Sequence, residues 1–256
     1  MVYLKKLFWR GPTGGFVLPF GSMATGYFVD DATRAERVQQ LFDTIAPRYD
    51  LINDLQSFWL HRLWKRRFVR LAQAKAGQRA LDLCCGTGDV SLALTDQGAE
   101  VIGLDFSQAM LDHARARDPG GSVTFQQGDA LQTGLPENHF DVVTIAYGLR
   151  NLADFNGGLA EMHRVTKPGG RMLVLDFGKP TFAPWRWFYF TYLKMAVPVF
   201  GKLFCRDAPA YAYIHESLEH YPAQRGVDAG LRDLGCREVK IHRILGAAMT
   251  INVAVK

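Results

Sequence analysis

The chain has 256 residues, 48% of them hydrophobic, and a formal net charge of +5 with pI near 9.0. That apolar content predicts one domain with a full core, uninterrupted by repeats or long low-complexity stretches. Four cysteines, Cys84, Cys85, Cys205 and Cys236, have neither a zinc-site spacing nor a disulfide framework, and read as small buried residues in a reducing compartment.

Residues 1–28 stand apart as a tail. Residues 1–10 are basic and apolar, and a Gly/Pro-rich run follows to Gly21. Gly11, Pro12, Gly14 and Gly15 interrupt the sustained apolar stretch that a secretory signal needs. The tail reads either as a disordered or membrane-touching segment or, with Met23 as the initiator, as untranslated sequence. The domain is placed at 29–256. In its first part Arg62, Lys65, Arg66, Arg67 and Arg70 cluster, interleaved by Leu60, Leu63, Trp64 and Phe68. This spacing predicts an amphipathic helix with a solvated basic face, suited to nucleic acid or to an anionic membrane surface. No nucleic-acid module accompanies it.

Residues 80–89 follow, an apolar strand running into a turn that holds Gly86 and Gly88 and then into a helical pattern. Such a turn lets backbone approach a ligand where a Cβ would obstruct. A second strand ends at Asp105, 17 positions after Gly88, where a carboxylate can accept hydrogen bonds from both ribose hydroxyls of a nucleoside. A dinucleotide fingerprint would place a third glycine where Ser91 stands. Asp89 puts a negative charge at the helix start. It suits a cationic ligand, and equally it can cap the helix.

Val123–Gln127 alternates as a third strand leading to Asp129 and Ala130, and residues 140–147 read as a fourth. A Pro-Gly turn at 165–170 precedes a fifth strand, 171–177. Residues 182–204 are dense in aromatics, but Arg186, Lys194, Pro198 and Lys202 exclude an ordinary transmembrane helix. They read as a helix capping the sheet, or as a cover over an apolar substrate or a bilayer contact. His215 and His220, at i and i+5, do not share one helix face. Residues 230–235 read as a helix end, and two alternating runs, 237–245 and 248–255, as a closing hairpin. Strand, glycine turn, helix and strand with a terminal acid, repeated, imply a mainly parallel sheet with helices on both faces.

The pattern of Asp82, Gly86, Gly88 and Asp105 resembles the class I methyltransferases that use S-adenosylmethionine. With residues 42–53, 83–89, 144–151, 164–170 and 211–217, the chain from about 38 to 256 is similar to the quinone-biosynthesis C-methyltransferases. The resemblance implies an α/β, Rossmann-like fold with a seven-stranded, mostly parallel sheet carrying one antiparallel strand, N-terminal cap helices, and a substrate- or membrane-facing insertion at 180–225. It implies S-adenosyl-L-methionine as methyl donor and no metal. The implied substrate is a prenylated quinol, demethylmenaquinol first, with a bifunctional or ubiquinone-pathway enzyme, or an O- or N-methyltransferase, as alternatives. A dehydrogenase lacks its third glycine.

Implied roles follow. Gly86, Thr87 and Gly88 shape the methionine-side turn, supported by Asp82 and Asp89. Asp105 holds the ribose, Asp129 and Ala130 the adenine, and Ala146 lines the reacting methyl. Tyr49, Asp50 and Asn53 come from a helix closing over the donor. Tyr147, Arg150 and Asn151 are the catalytic candidates. Arginine is too basic to act as a base itself, so Arg150 orients a water or stabilises the quinolate. Tyr211 and Tyr213 are candidates to wall the ring pocket. The expected place is the cytoplasm at the inner face of a membrane, with a second copy of the chain as a further partner and no nucleic acid.

Overall fold

Residues 34–205, 217, 218 and 220–256 are described in the computed structural model of the protein. His215, Tyr211, Tyr213 and the tail with its candidate initiator Met23 lie outside them. The N-terminal helices are α1 (Arg34–Ile45), α2 (Tyr49–Ser57) and α3 (Leu60–Ala72). The sheet-forming part runs β1 (Arg79–Leu83), α4 (Asp89–Thr95), β2 (Glu100–Asp105), α5 (Gln108–Ala116), β3 (Val123–Gln127) and β4 (Phe140–Ala146). It continues through α6 (Phe155–Val165), β5 (Thr166–Phe177), α7 (Ala183–Cys205), α8 (Ala223–Asp233), β6 (Arg237–Ile244) and β7 (Met249–Val255).

The strands form one sheet in the order β3-β2-β1-β4-β5-β7-β6. Strand β7 is antiparallel to both neighbours, while β1 to β5 pair in parallel. A central parallel strand covered on both faces is mostly apolar, which explains Ala80, Leu81 and Leu83 of β1, where the one buried charge, Asp82, is bonded to two hydroxyls. Alternation along β4 divides the core. Val143 and Ile145 face a cluster with Leu159 of α6 and Leu231 of α8, while Val142 joins Phe68, Val69 and Ala72 of α3. Each such fully buried side chain contributes about 1.5–3 kcal/mol. The chain runs outward from β1 to β3 and returns to β4 on the other side of β1. This reversal opens a crevice at the carboxyl ends of β1 and β4, where ligands bind in open α/β sheets.

Two local expectations change. The Pro-Gly segment is inside β5, because Thr166 already pairs with Phe140 before the register shifts to Val142 and Arg171. Pro168 cannot donate to a ladder, and the bulge absorbs it. In α3 Leu63 is exposed, whereas His61, Phe68, Val69 and Ala72 are buried. Lys65 is also turned inward rather than solvated, its side chain 13% exposed. Among the described residues no helix is long and apolar enough to cross a membrane.

Candidate functional site

The turn after β1 is held in left-handed backbone at Cys84 (φ 52°), Gly86 (φ 55°) and Gly88 (φ 83°). The amide of Gly86 donates to Asp105 Oδ2 at 2.8 Å, and that of Ser107 to Oδ1 at 2.9 Å. Each oxygen keeps a further lone pair. Asp105 therefore faces a cavity of about 130 Å³ with acceptor capacity in reserve, as two vicinal hydroxyls require. Burial pushes its carboxyl above the usual range, against the pull of those amides. The same cavity is walled by Gly86, Asp129, Ala130, Ala146, Tyr147, Asn151 and Tyr49. At its floor Gly148 meets the turn so closely that a Cβ would lie 2.5 Å from Cys84 Cβ.

Asp82, Thr87, Gly88 and Asp89 do not line this cavity. Asp82 is fully buried and accepts from Ser91 Oγ and Thr144 Oγ1, each at 2.7 Å, tying β1 to α4 and β4. Burial raises its pKa to about 6 despite those two donors. Thr87 Oγ1 donates to Asp50 Oδ1 at 2.9 Å. At Gly88 a Cβ would sit 2.9 Å from the Phe125 ring. Asp89 pairs with Lys65 at 2.7 Å and with Arg117. Burial alone would raise its pKa, but the two cations outweigh it and hold it at about 2. The chain's own cations thus occupy the carboxylate expected to favour a cationic ligand.

A second, larger cavity of about 490 Å³ adjoins the first. Its wall is largely aromatic and comes from α2, the start of α3 and the helix α7, with Phe58, Trp64, Trp185, Phe188, Tyr189 and Tyr192 among the contributors. Phe42, Tyr49 and Tyr147 border both cavities. A small ligand in the first and an apolar one in the second would therefore meet at this shared wall. Tyr147, in left-handed backbone at φ 61°, has a buried hydroxyl without a partner. Burial holds the Tyr147, Tyr49 and Tyr189 phenols above their ordinary pKa, so they stay protonated at neutral pH.

Arg150 also lines the larger cavity, its Nη1 donating to Tyr147 O and to Asp176 Oδ1, each at 2.7 Å. Its guanidinium lies 4.9 Å over the Phe177 ring. Asn151 Nδ2 donates to the same Tyr147 carbonyl at 3.2 Å, so the three catalytic candidates are joined at the end of β4. Asn53 lines the larger cavity beside Tyr49, and Asp50 turns away to Thr87. His220 is exposed and outside both walls. Among the wall residues that the sequence motifs did not single out is His61, bonded through Nε2 to Asp54.

The ubiE/COQ5 methyltransferase family model matches residues 30–256. The chain is 40% identical over 235 residues to the ubiquinone/menaquinone biosynthesis C-methyltransferase UbiE of Ectopseudomonas mendocina, covering 89% of this chain and 92% of that one. It is 39% identical over 223 residues to the demethylmenaquinone methyltransferase of Renibacterium salmoninarum, covering 87% of this chain and 93% of the relative. Among solved structures, a SAM-dependent methyltransferase from Thermotoga maritima superposes with TM-score 0.62 at 17% identity, over 85% of this chain and 99% of its own. One from Aquifex aeolicus gives 0.57 at 18%, over 80% and 97%.

Proposed function

The chain belongs to the ubiE/COQ5 methyltransferase family, and from that premise we propose that it transfers a methyl group from S-adenosylmethionine to a ring carbon of demethylmenaquinol. The observation that carries the reading is the pair of cavities meeting at Tyr49 and Tyr147, one with hydroxyl acceptors and one large and aromatic. The donor supplies an electrophilic methyl on a sulfonium nucleoside, and Asp105 with Gly86, Asp129 and Ala130 would hold it. A quinone ring is electron-poor, so the acceptor must be the reduced quinol. The ring has to lie in the aromatic cavity with its carbon about 3 Å from the methyl. Arg150, fixed by Asp176 and Tyr147 O, is placed to stabilise the quinolate that forms when a hydroxyl gives up its proton.

A prenylated quinol resides in a bilayer, and the segments that help wall the larger cavity, the α2–α3 corner, α3 and α7, carry exposed apolar side chains. Phe58, Trp59, Leu63, Trp187, Phe188 and Met195 are all more than half exposed. Arg62, Arg66, Arg67 and Arg70 are exposed on the same α3 segment. These features support a working position against the anionic inner face of a membrane, entered from the cytoplasm.

The test is methyl transfer from labelled donor to demethylmenaquinol beside its ubiquinone-pathway counterpart, both kept reduced. Product from the naphthoquinol alone is the expected result. Product from both makes the enzyme bifunctional, as the name of the Ectopseudomonas mendocina relative implies for that protein. Product from neither, with donor binding intact, refutes the substrate assignment.

A further inference from the structure

The geometry points to His61, oriented by Asp54, as the proton acceptor for the quinol hydroxyl in the larger cavity, an inference that rests on the functional reading above. The pair is built at the corner between α2 and α3, where Phe58 (φ 50°) and Trp59 (φ 61°) turn the chain sharply through left-handed backbone. Two bulky residues do not adopt that conformation without cost. The corner brings Asp54, near the end of α2, against His61, at the start of α3.

Asp54 is gripped by Arg62, whose Nε and Nη2 reach Oδ1 and Oδ2 at 2.7 and 2.6 Å. That guanidinium, with His61, holds the carboxyl below its ordinary range, so Asp54 is a carboxylate and can only accept. His61 Nε2, 2.9 Å from Oδ1, must therefore carry the proton. The tautomer is fixed, and Nδ1 presents a lone pair. Nδ1 is buried and has no partner, in a residue only 4% exposed that lines the larger cavity. Gln56 and Tyr147, which line the same cavity, likewise carry a buried polar atom without a partner, Nε2 and Oη. Each such atom costs about 1–3 kcal/mol when left unsatisfied, so three of them on residues that wall one apolar chamber favour the binding of a polar ligand group there.

The charged groups around the imidazole are Asp54, Arg62, Lys65 and Asp89. Burial, opposed by Asp54, holds the ring below its ordinary pKa, so it is neutral at pH 7 and free to take a proton. Arg150 cannot do this, and the buried tyrosine phenols are already protonated. The step balances as follows. The quinol O–H proton passes to Nδ1, and the ring carbon, enriched by the quinolate, forms the new carbon–carbon bond as the sulfur–methyl bond breaks. The ring C–H proton then leaves to water, restoring aromaticity. Nδ1 returns its proton to the quinolate oxygen, so one proton is released overall. Asp54 is a positioning residue here, holding the tautomer.

The experiment is the pH profile of kcat/KM for the full-length enzyme and its His61→Asn and Asp54→Asn variants, with demethylmenaquinol as acceptor. The wild type is expected to lose activity below a pKa under 6.5. His61→Asn is expected to fall by about 10²- to 10⁴-fold at pH 7. It should then regain about tenfold per pH unit as the quinol's own hydroxyl ionises near a phenol's pKa of about 10. Asp54→Asn should lower kcat with donor binding retained. A His61→Asn enzyme matching the wild type across the profile overturns the assignment. A wild type that methylates neither quinol overturns both this and the functional reading. Should a variant not fold, nitrogen NMR of labelled histidine in the wild type decides the matter: Nδ1 unprotonated and shifted by bound quinol supports the role, and a protonated or unresponsive Nδ1 refutes it.

Discussion

Asp82→Asn gives the sharpest test of how the nucleoside end of the site is built. The carboxyl is 1% exposed and bonded only to two hydroxyls, and its pKa is raised from 3.8 to about 6. A raised carboxyl pKa means that the folded state holds its proton more tightly than the unfolded chain. The associated stability is fully present below about pH 4 and is lost as pH rises through about 6. A shift of about two units corresponds to about 3 kcal/mol of destabilisation at pH 7. Asparagine is isosteric, its oxygen accepts one hydroxyl, its amide donates to the other, and it carries no charge to desolvate. The variant should therefore be more stable than the wild type at pH 7 by up to about 3 kcal/mol, or about 6–12 °C in Tm for a domain of this size. The gain should vanish below about pH 4. Thermal unfolding followed by circular dichroism from pH 3.5 to 8 reads this directly. The buried negative charge lies beneath the donor turn, so the variant should also bind the cationic donor more weakly, relative to its uncharged demethylated product, than the wild type does. A variant less stable at pH 7, or one whose difference from wild type is independent of pH, would refute the reasoning.

Asp89→Asn should have the opposite pH signature: its wild-type pKa of about 2 contributes stability above about pH 4 that is lost as pH falls toward 2. Losing its pairs with Lys65 and Arg117 should cost about 2 kcal/mol at pH 7 in urea unfolding, and little at pH 2. Gly148→Ala forces a methyl against Cys84 at 2.5 Å, so calorimetry should show about 1–3 kcal/mol lost, with donor affinity reduced as Cys84 moves into the cavity. Replacing both Phe58 and Trp59 by serine should weaken sedimentation with anionic vesicles while leaving the far-ultraviolet circular dichroism spectrum unchanged, since both side chains are exposed.

The parts of the fold set by local pattern were legible in the chain. The apolar Ala80, Leu81 and Leu83 of β1 follow from burial on both faces, and the left-handed turn after the strand needs the freedom that Gly86 and Gly88 supply. Asp105, Asp129, Ala146 and Tyr147 reach one cavity because each lies at or just beyond the carboxyl end of a strand. What sequence could not reveal depends on partners distant along the chain. Asp89 reads as free until Lys65 and Arg117 are brought to it from α3 and the end of α5. Leu63 has the spacing of a core residue, but the corner at Phe58 and Trp59 rotates α3 so that His61 faces inward, compensated by Asp54. An acid and a histidine seven positions apart form no recognisable motif, and only that corner makes them neighbours. Pro168 reads as a turn because its place in a bulge of β5 is set by the pairing with β4.

The central claim is that a quinol ring carbon receives the methyl at the wall formed by Tyr49 and Tyr147. Turnover with ¹³C-methyl donor and reduced demethylmenaquinol, followed by carbon NMR of the isolated product, tests it most directly. The account predicts the label on a ring carbon, with no labelled methyl ether. A label on oxygen, or turnover of the oxidised quinone at the same rate as the quinol, would contradict it.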